Sequence, residues 1–332
     1  MERKTMLHSF LSLFLTVMLT GCSLTPAVTD GSTSGLNTPK VSLVAMKGPT
    51  GMGILPYVEE QQQKGILDFR IETLPEEVVV GLGKGDIDVA AIPANLAATL
   101  FQKLEGELQA AAVIVTNVLY IAENGDTIKS IADLKGRTLY STGRGATPEA
   151  ALTLLLEGAS LQLDTDVRVE YSSEAAEVAA KFLARPGSIA LLQEPFLTSV
   201  RGKNEMVRVP LDLDELWRDQ FGPDAAIVTG VLVARKDFIE ENQAWFDGFL
   251  DEYEASVAYV NDDPVQGAKL IEEYGIMDAA TAEAAIPHAG LSFIRGDAMK
   301  EKLAGYLLKL NGYDPQLIGG ALPTDDFYYL GD

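Results

Sequence analysis

The sequence predicts an α/β protein built from two doubly wound lobes, with a helical tail that packs on the first lobe. Short apolar segments alternate with longer amphipathic segments over residues 41–104, and after a polar stretch the alternation resumes over residues 138–234. From residue 237 onward the pattern is helical only. Strands that alternate with helices predict parallel sheets covered on both faces. The roughly 290 residues beyond a leader are enough for two such lobes.

The first block begins the alternation and ends in a long apolar run. Its strands are predicted at residues 41–46, 67–74 and 87–92, and its helices at residues 51–64, 75–83 and 93–104. Residues 108–122 are almost continuously apolar, which is typical of a strand buried on both faces. After this run the chain is expected to cross to the second lobe.

The second block repeats the alternation and then leads back to the first lobe. Its strands are predicted at residues 138–141, 167–171, 188–192 and 207–210, and its helices at residues 147–158, 174–184, 194–202 and 212–221. An apolar strand at residues 226–234 returns the chain, and the tail helices are predicted at residues 237–260, 265–274, 279–286 and 297–310. The prediction therefore assigns residues 40–122 and 235–332 to lobe 1 and residues 123–234 to lobe 2.

The first 22 residues differ in composition from the rest of the chain. Arg3 and Lys4 precede an apolar stretch at residues 10–19 that is too short to span a bilayer, so residues 1–21 are predicted to be a signal peptide. The sequence L-T-G-C then follows, and it resembles the bacterial lipobox, in which the cysteine is lipidated and becomes the first residue. Cys22 is therefore the predicted lipidation site.

A flexible tether is predicted to follow this cysteine. Residues 22–39 comprise Cys22 and a segment rich in Ser, Thr, Gly and Pro, which behaves as a flexible coil. No later segment is apolar over a length that could span a bilayer. The expected location is therefore extracytoplasmic, with the folded part held at the cell membrane by an N-terminal lipid.

The chain beyond the leader is strongly acidic and poor in metal-binding side chains. The whole chain has 26 Lys and Arg against 48 Asp and Glu, so that loss of Glu2, Arg3 and Lys4 leaves 24 against 47, a net charge of −23. Such a charge opposes binding to nucleic acid. His288 would be the only histidine and no second cysteine remains, which excludes a Cys/His zinc site and a cysteine nucleophile. We predict no metal, no cofactor and no nucleic-acid partner.

Four loops that follow predicted strands share one chemistry. Each brings small residues, hydroxyls, amides or a proline to the start of a helix, at residues 48–51, 93–96, 143–149 and 193–195. The first of them matches neither the P-loop nor the dinucleotide-binding spacing. Ligands bind at the carboxyl ends of strands in open α/β sheets, and helix N-termini offer unpaired N–H groups there. We therefore expect a ligand cleft between the lobes.

Five segments, together with the lipobox, carry a resemblance to a known family. They are GKGDIDVAAIPANLAATL (83–100), DLKGRTLYSTGRGATPEAALTLLLEG (133–158), ALLQEPFLTSV (190–200), TGVLVARKDFIEEN (229–242) and IGGALPTDDFYY (318–329). The chain resembles substrate-binding lipoproteins of ABC importers with the periplasmic-binding-protein type II fold. Within that family it is similar to the branch of nitrate, sulfonate, taurine and thiamine-precursor binders. The resemblance covers nearly all of the chain beyond the leader.

The resemblance implies a receptor and a set of ligand contacts. It implies two hinge crossings, near residues 117–124 and 229–235, a monomeric state, and membrane permease subunits as partners. The ligand contacts that it implies are Thr50, Gly51, Met52, Asn95, Asn117, Arg144, Ala146, Thr147, Glu194 and Gly230. The expected function is capture of a small polar organic molecule between the lobes and its delivery to an ABC importer, with no catalytic residue. Thiamine-pyrimidine synthases of this fold carry a cluster of Cys with His, which this chain lacks.

Two alternatives stay open at this point. Helix N-termini, Lys47 and Arg144 favour a ligand with an anionic end, whose flat body would pack against Met52 and Tyr120. A planar, pyrimidine-like compound that donates N–H groups to Glu194 fits nearly as well. The alternative function is an enzyme on the same fold, similar to a futalosine dehydratase, with Glu194 as acid or base and Arg144 orienting an anionic substrate.

Overall fold

The computed structural model describes residues 39–331, whose strands form two separate mixed sheets flanked by helices. The predicted signal peptide at residues 1–21, Cys22 and the tether up to residue 38 lie outside the described residues. The two-lobed α/β class predicted from the alternating pattern is confirmed. The expectation of purely parallel sheets is wrong, because the strands that carry the chain between the lobes run antiparallel to their neighbours.

The first sheet has six strands in the order β11-β4-β10-β3-β1-β2. The strands are β1 (Val41–Met46), β2 (Leu67–Glu72), β3 (Val89–Pro93), β4 (Leu108–Thr116), β10 (Val228–Arg235) and β11 (Leu291–Ile294). β1 pairs in parallel with β2 and β3, whereas β10 pairs antiparallel with β3 and β4. β11 lies in the tail, where the sequence predicts only helices, because so short a strand hardly alters the surrounding helical pattern.

The second sheet has five strands in the order β7-β6-β8-β5-β9. The strands are β5 (Leu119–Glu123), β6 (Thr138–Ser141), β7 (Arg168–Tyr171), β8 (Ile189–Gln193) and β9 (Arg208–Asp212). β6 pairs in parallel with β7 and β8, and β5 pairs antiparallel with β8 and β9. Both sheets therefore repeat one arrangement, in which three parallel strands are followed by an antiparallel strand from a crossing and then by a further strand.

The first crossing between the lobes lies within the predicted range of residues 117–124, whereas the second lies just before the predicted range of residues 229–235. The first is at Asn117 and Val118, between β4 and β5, so that the apolar run at residues 108–122 is two strands in different sheets. Asn117 has a φ of 57°, a left-handed conformation that Asn adopts more readily than most residues. The second crossing is at residues 222–227, before β10. The predicted lobe boundaries after residues 122 and 234 consequently fall inside β5 and β10. The apolar run at residues 108–122 continues past the first crossing with almost no polar residue, whereas Gly222, Pro223 and Asp224 mark the second crossing.

Eight helices connect the strands up to the second crossing in the described chain. They are α1 (Pro49–Met52), α2 (Leu55–Gln63), α3 (Pro75–Lys84), α4 (Ala94–Lys103), α5 (Thr147–Gly158), α6 (Ala175–Leu183), α7 (Phe196–Lys203) and α8 (Leu213–Phe221). The single helix predicted at residues 51–64 is therefore two helices. Pro56 explains the break, because it has no N–H to donate to the carbonyl of Met52 in a continuous helix.

The tail contributes four helices that pack on the first lobe. They are α9 (Lys236–Asp262), α10 (Pro264–Glu273), α11 (Ala279–Ala285) and α12 (Gly296–Tyr313). α9 contacts α2, β10 and β11, and α12 contacts β4, β10 and α4, as well as α5 of the second lobe. Asp237 and Asp297 lie in the first turns of α9 and α12. Across residues 39–331, no helix has the length and apolar character needed to cross a membrane.

A close backbone contact holds the end of β4 beside the segment that precedes β11. Thr116 N donates to Gly290 O over 3.0 Å, directly before the first crossing. Gly290 has a φ of 60°, and a Cβ there would overlap the carbonyl oxygen of Thr116. Only glycine fits this position, because other residues would add both the side-chain overlap and the cost of a left-handed backbone.

A buried carboxylate holds the end of β5 on the other side of this crossing. The side chain of Glu123 is 0% exposed and accepts from Thr127 N at 2.8 Å, Thr127 Oγ1 at 2.6 Å and Ile128 N at 3.1 Å. Arg208 Nη1 lies 3.4 Å from its Oε2. Burial alone raises the pKa of Glu123, but the hydrogen bonds from Thr127 and Ile128 outweigh burial and lower the pKa below its usual value.

Candidate functional site

The candidate site lies between the two lobes, where loops that follow strands of both sheets face each other. Two of the cavities between the lobes lie at these loops, a large one of about 570 Å³ and a small one of about 340 Å³, and residues from both lobes line each of them. Gln193, the last residue of β8, lines both cavities. The site is thus at the carboxyl ends of parallel strands, where open α/β sheets bind ligands.

The large cavity carries charges of both signs. Its polar lining includes Lys47, Thr73 and Asp278 from the first lobe, and Thr142, Ser173 and Glu174 from the second. Asp278 accepts from Thr281 N over 2.9 Å as the N-cap of α11, and this hydrogen bond lowers the pKa of Asp278. Lys47 and Glu174 lie on opposite lobes and are exposed. A ligand in this cavity would meet one cation and two carboxylates.

The small cavity is lined by uncharged residues. Its hydrogen-bonding side chains are Asn95, Thr147, Gln193 and Thr229. Prolines and aliphatic side chains complete it, namely Pro75, Pro93, Leu96, Leu119, Ala146 and Pro148. Amides and hydroxyls can both donate and accept, so that this cavity can bind neutral polar groups without a counter-charge.

Several helices begin at the cavities and add a weak positive field. α3, α4 and α5 begin at the small cavity, and α1, α6, α7 and α11 begin at the large one. The free N–H groups at a helix start are equivalent to about half a positive charge and stabilise a nearby anion by roughly 0.3–1 kcal/mol. The small cavity therefore accepts either a neutral polar group or a single negative charge.

Three of the predicted contact residues line the small cavity. Asn95 lies in the first turn of α4, and Ala146 and Thr147 lie at the start of α5. The structure brings these residues together although the two helices belong to different lobes. Their loops are the ones whose chemistry indicates ligand binding in the sequence.

Four other predicted contacts serve packing in this structure. Met52 is 0% exposed within the hydrophobic core, and Gly51 is buried. Thr50 donates its hydroxyl to Met46 O over 2.7 Å, and a Cβ on Gly230 would lie 2.7 Å from Thr50 Cγ2. Gly230 therefore allows α1 to approach β10 closely, and none of these four residues lines either cavity.

Asn117 and Tyr120 lie at the first crossing. Tyr120 OH donates to Asn117 O over 3.1 Å and lies 3.4 Å from His288 O, so that it joins the crossing to the first lobe. Burial raises the pKa of Tyr120, and the nearby Asp212 raises it further. The Oδ1 atom of Asn117 is buried and has no hydrogen-bond partner among the described residues. Both residues lie at the hinge and not among the residues that line the cavities.

Arg144 lies outside both cavities. Its side chain is exposed, and its guanidinium carbon is 5.7 Å from the centre of the Tyr171 ring, as in a cation–π contact. The predicted grip of Arg144 on an anionic ligand therefore has no support in this arrangement. Lys47, which also precedes a helix, is the cation that does line the cleft.

Glu194 is buried and engaged with its own helix. Its side chain is 1% exposed, and its carboxylate accepts from Thr198 N and Thr198 Oγ1, each at 3.1 Å. Burial raises the pKa of Glu194. Its neighbours Gln193 and Pro195 line the large cavity, whereas Glu194 does not. The predicted roles of Glu194, as a ligand contact or as an acid or base, would require this side chain to leave Thr198.

Sequence reasoning missed two residues that both lobes bring to the small cavity. Gln193 lies next to Glu194 in a loop that the sequence singles out, and Thr229 lies next to Gly230. Successive side chains of a strand point to opposite faces, so that Thr229 and Gly230 of β10 face different sides. The two-residue period of β10 is the signal that identifies Thr229, and Gln193 is the last residue of β8.

The described residues contain no group of three or more His, Cys, Asp or Glu side chains that could hold a metal ion. Among them, Asp278 and Glu174 are the carboxylates that line the large cavity, and no carboxylate lines the small one. The two cavities therefore offer hydrogen-bonding groups, one ammonium group and two carboxylates.

Solved structures with the same arrangement of lobes reveal the fold. An ABC transporter protein from Parabacteroides distasonis is 22% identical with a TM-score of 0.72, and the match covers 88% of this chain and 99% of that one. The periplasmic aliphatic sulphonate binding protein SsuA from Escherichia coli is 17% identical with a TM-score of 0.71, covering 89% and 93%. The fold is that of a type II periplasmic binding protein.

A more distant match has the same fold. The periplasmic nitrate-binding protein NrtA from Synechocystis is 12% identical with a TM-score of 0.56, covering 79% of this chain and 76% of that one. No protein-family model and no curated protein sequence matches this chain. Two of the three structures are binding proteins by name and the third is named an ABC transporter, and the type II fold implied by the sequence resemblance is confirmed.

Proposed function

We propose that this protein is an extracytoplasmic solute receptor that binds a small polar organic molecule between its lobes and delivers it to an ABC permease. The small cavity carries the proposal, because residues of both lobes line it and a bound molecule would contact both lobes at once. Such a ligand stabilises the arrangement in which the lobes are close together, which a permease can distinguish from the empty protein. The sulphonate- and nitrate-binding names of similar structures support this class of function.

The lining of the cavities supports a ligand with a neutral or singly negative polar end. This end would bind in the small cavity, to the amides of Asn95 and Gln193 and the hydroxyls of Thr147 and Thr229. The rest of the molecule would extend past Gln193 into the large cavity. Amides select a ligand by the positions of its donors and acceptors, because an unmatched polar group left buried costs about 1–3 kcal/mol.

Gln193→Ala is expected to weaken ligand binding at least tenfold, since a hydrogen bond lost at the junction of the two cavities costs about 1.5 kcal/mol. The ligand is first identified by native mass spectrometry of small molecules retained on the purified protein. Its affinity for the variant is then measured by isothermal titration calorimetry. Gln63→Ala, on the exposed side of α2, is the matched control and should bind as wild type does.

Arg144→Ala distinguishes this arrangement from an anion gripped by arginine. We expect the affinity for the ligand to change by less than about threefold. A charged hydrogen bond is worth about 1.5–3 kcal/mol, but in this arrangement Arg144 does not form one with the ligand. If Arg144→Ala lowers the affinity for the ligand tenfold or more and Gln193→Ala binds it as wild type does, the ligand binds outside the small cavity. Conversion of the retained compound into a product on incubation with the protein would support an enzyme instead of a receptor.

We also propose that Cys22 carries the lipid that holds the protein at the membrane. Cys22→Ala should move the folded protein from the membrane fraction to the soluble fraction, because two acyl chains suffice for a stable anchor and none would remain. Fractionation of cells that express the full chain, with detection by immunoblot, measures this. Ser23→Ala is the control and should stay with the membrane. Retention of Cys22→Ala in the membrane fraction would show that the anchor lies elsewhere.

A further inference from the structure

Helix α12 packs on the first lobe, but two of its tyrosines reach the second. Tyr306 is 2% exposed and donates its hydroxyl to Thr147 Oγ1 over 3.1 Å. Near the end of α12, Tyr313 OH donates to Glu149 Oε1 over 3.4 Å. Both acceptors lie in the first turn of α5. The start of α5 is therefore bonded to a helix of the other lobe.

The same helix also contacts α8 and the second crossing. The Tyr306 ring lies 6.0 Å from the Trp217 ring, and Lys309 Nζ lies 4.5 Å from the centre of the Phe221 ring. Lys302 Nζ donates to Asp224 O over 2.9 Å, and Asp224 lies within the crossing at residues 222–227. α12 thus connects the lobes in addition to the two chain crossings and to the contact of α11 with α7.

The first turn of α5 forms one wall of the small cavity. Ala146, Thr147 and Pro148 all line it. Thr147 therefore belongs to the cavity wall and, through its hydroxyl, to the contact with Tyr306. Because Tyr306 is almost completely buried, water has little access to its hydroxyl, and the bond to Thr147 satisfies a polar group that would otherwise be unpaired.

We infer that Tyr306 is a positioning residue, whose hydroxyl holds Thr147 and the first turn of α5 at a defined position against the first lobe. It does not line either cavity and acts through Thr147. That Tyr306 matters for ligand capture rests on the proposed function. That its hydroxyl holds the first turn of α5 in place does not.

Hydrogen–deuterium exchange of the full chain, measured without ligand, tests the inference. Tyr306→Phe keeps the ring that packs against Trp217 and removes only the hydroxyl. The amides of residues 149–153 should exchange about fivefold faster, the factor that corresponds to one lost hydrogen bond, while those of α9 keep the wild-type rate. Thr147→Val should give the same acceleration, and the double variant should be no faster than either single variant.

Tyr253→Phe is the matched control. Tyr253 is a tyrosine of α9 that is 1% exposed, and its replacement should leave exchange in α5 unchanged. Wild-type exchange at residues 149–153 in Tyr306→Phe would overturn the inference. Faster amide exchange along the whole chain would also overturn it. So would exchange in the double variant that is faster by the product of the two single-variant factors. Because no ligand is used, these outcomes do not depend on whether the protein is a solute receptor.

Discussion

Gly290→Ala is expected to lower the free energy of unfolding by about 4 kcal/mol, which is near the upper end for a single substitution. The new Cβ would overlap the carbonyl oxygen of Thr116, and residue 290 would have to hold a φ of 60° that costs a residue with a side chain about 1 kcal/mol. Relief of the overlap would separate Thr116 N from Gly290 O and lose a hydrogen bond worth about 1 kcal/mol. Urea denaturation measures the change.

Gly248→Ala is the matched control for this variant. Gly248 lies on the exposed side of α9, and a Cβ there would meet nothing within 4 Å. Alanine in a helix interior is about 0.5–1 kcal/mol more favourable than glycine, so that this variant should be slightly more stable than wild type. A Gly290→Ala protein with the stability of Gly248→Ala would mean that the backbone at residue 290 does not approach Thr116 as described.

Glu123→Ala is expected to lower the free energy of unfolding at pH 7 by about 3 kcal/mol, as the loss of one partner from a buried, charged hydrogen-bond group does. The substitution leaves the N–H groups of Thr127 and Ile128 without their acceptor and removes the partner of Arg208. Glu157→Gln, on an exposed position of α5, should change stability by less than about 0.5 kcal/mol.

The effect of Glu123 should depend on pH in a defined direction. The hydrogen bonds lower the pKa of Glu123 in the folded protein, so that its stabilising effect is complete above its pKa in the unfolded chain, about 4.3. The effect is lost as the pH falls through the lower pKa of the folded protein. The difference in stability between wild type and Glu123→Ala should therefore narrow below about pH 4, and a constant difference from pH 7 to pH 3 would contradict this account.

Local patterns in the sequence predict most of the secondary structure, but they do not show where the chain changes sheet. The strand at residues 138–141 and the helix at residues 147–158 have the predicted bounds, since both begin and end at clear changes of composition. Asn117 interrupts an apolar run that continues on both sides, and only the pairing of β5 with β8 reveals that a second sheet has begun. A crossing of this kind depends on contacts between distant residues.

The sequence predicts where the cleft lies, but it predicts only some of the side chains that line it. Helix starts such as those at Asn95 and Thr147 lie at the cavity, since the end of a strand determines where they lie. The direction of a side chain depends on its tertiary contacts. Arg144 lies over the Tyr171 ring and Glu194 binds Thr198, and in both cases the partner is nearby in space but gives no pattern in the sequence.

The position of β10 has a consequence for the order in which the lobes can form during synthesis. β10 lies between β3 and β4, yet it is made after β5 to β9, so that the second sheet is complete when residue 212 leaves the ribosome. At that moment β3 and β4 have no strand between them. The first sheet must wait for residue 235, and β11 is added later still. Because long-range pairing is slow to form, we expect the second lobe to fold first, and the lobe that contains the earliest described residues to be completed last.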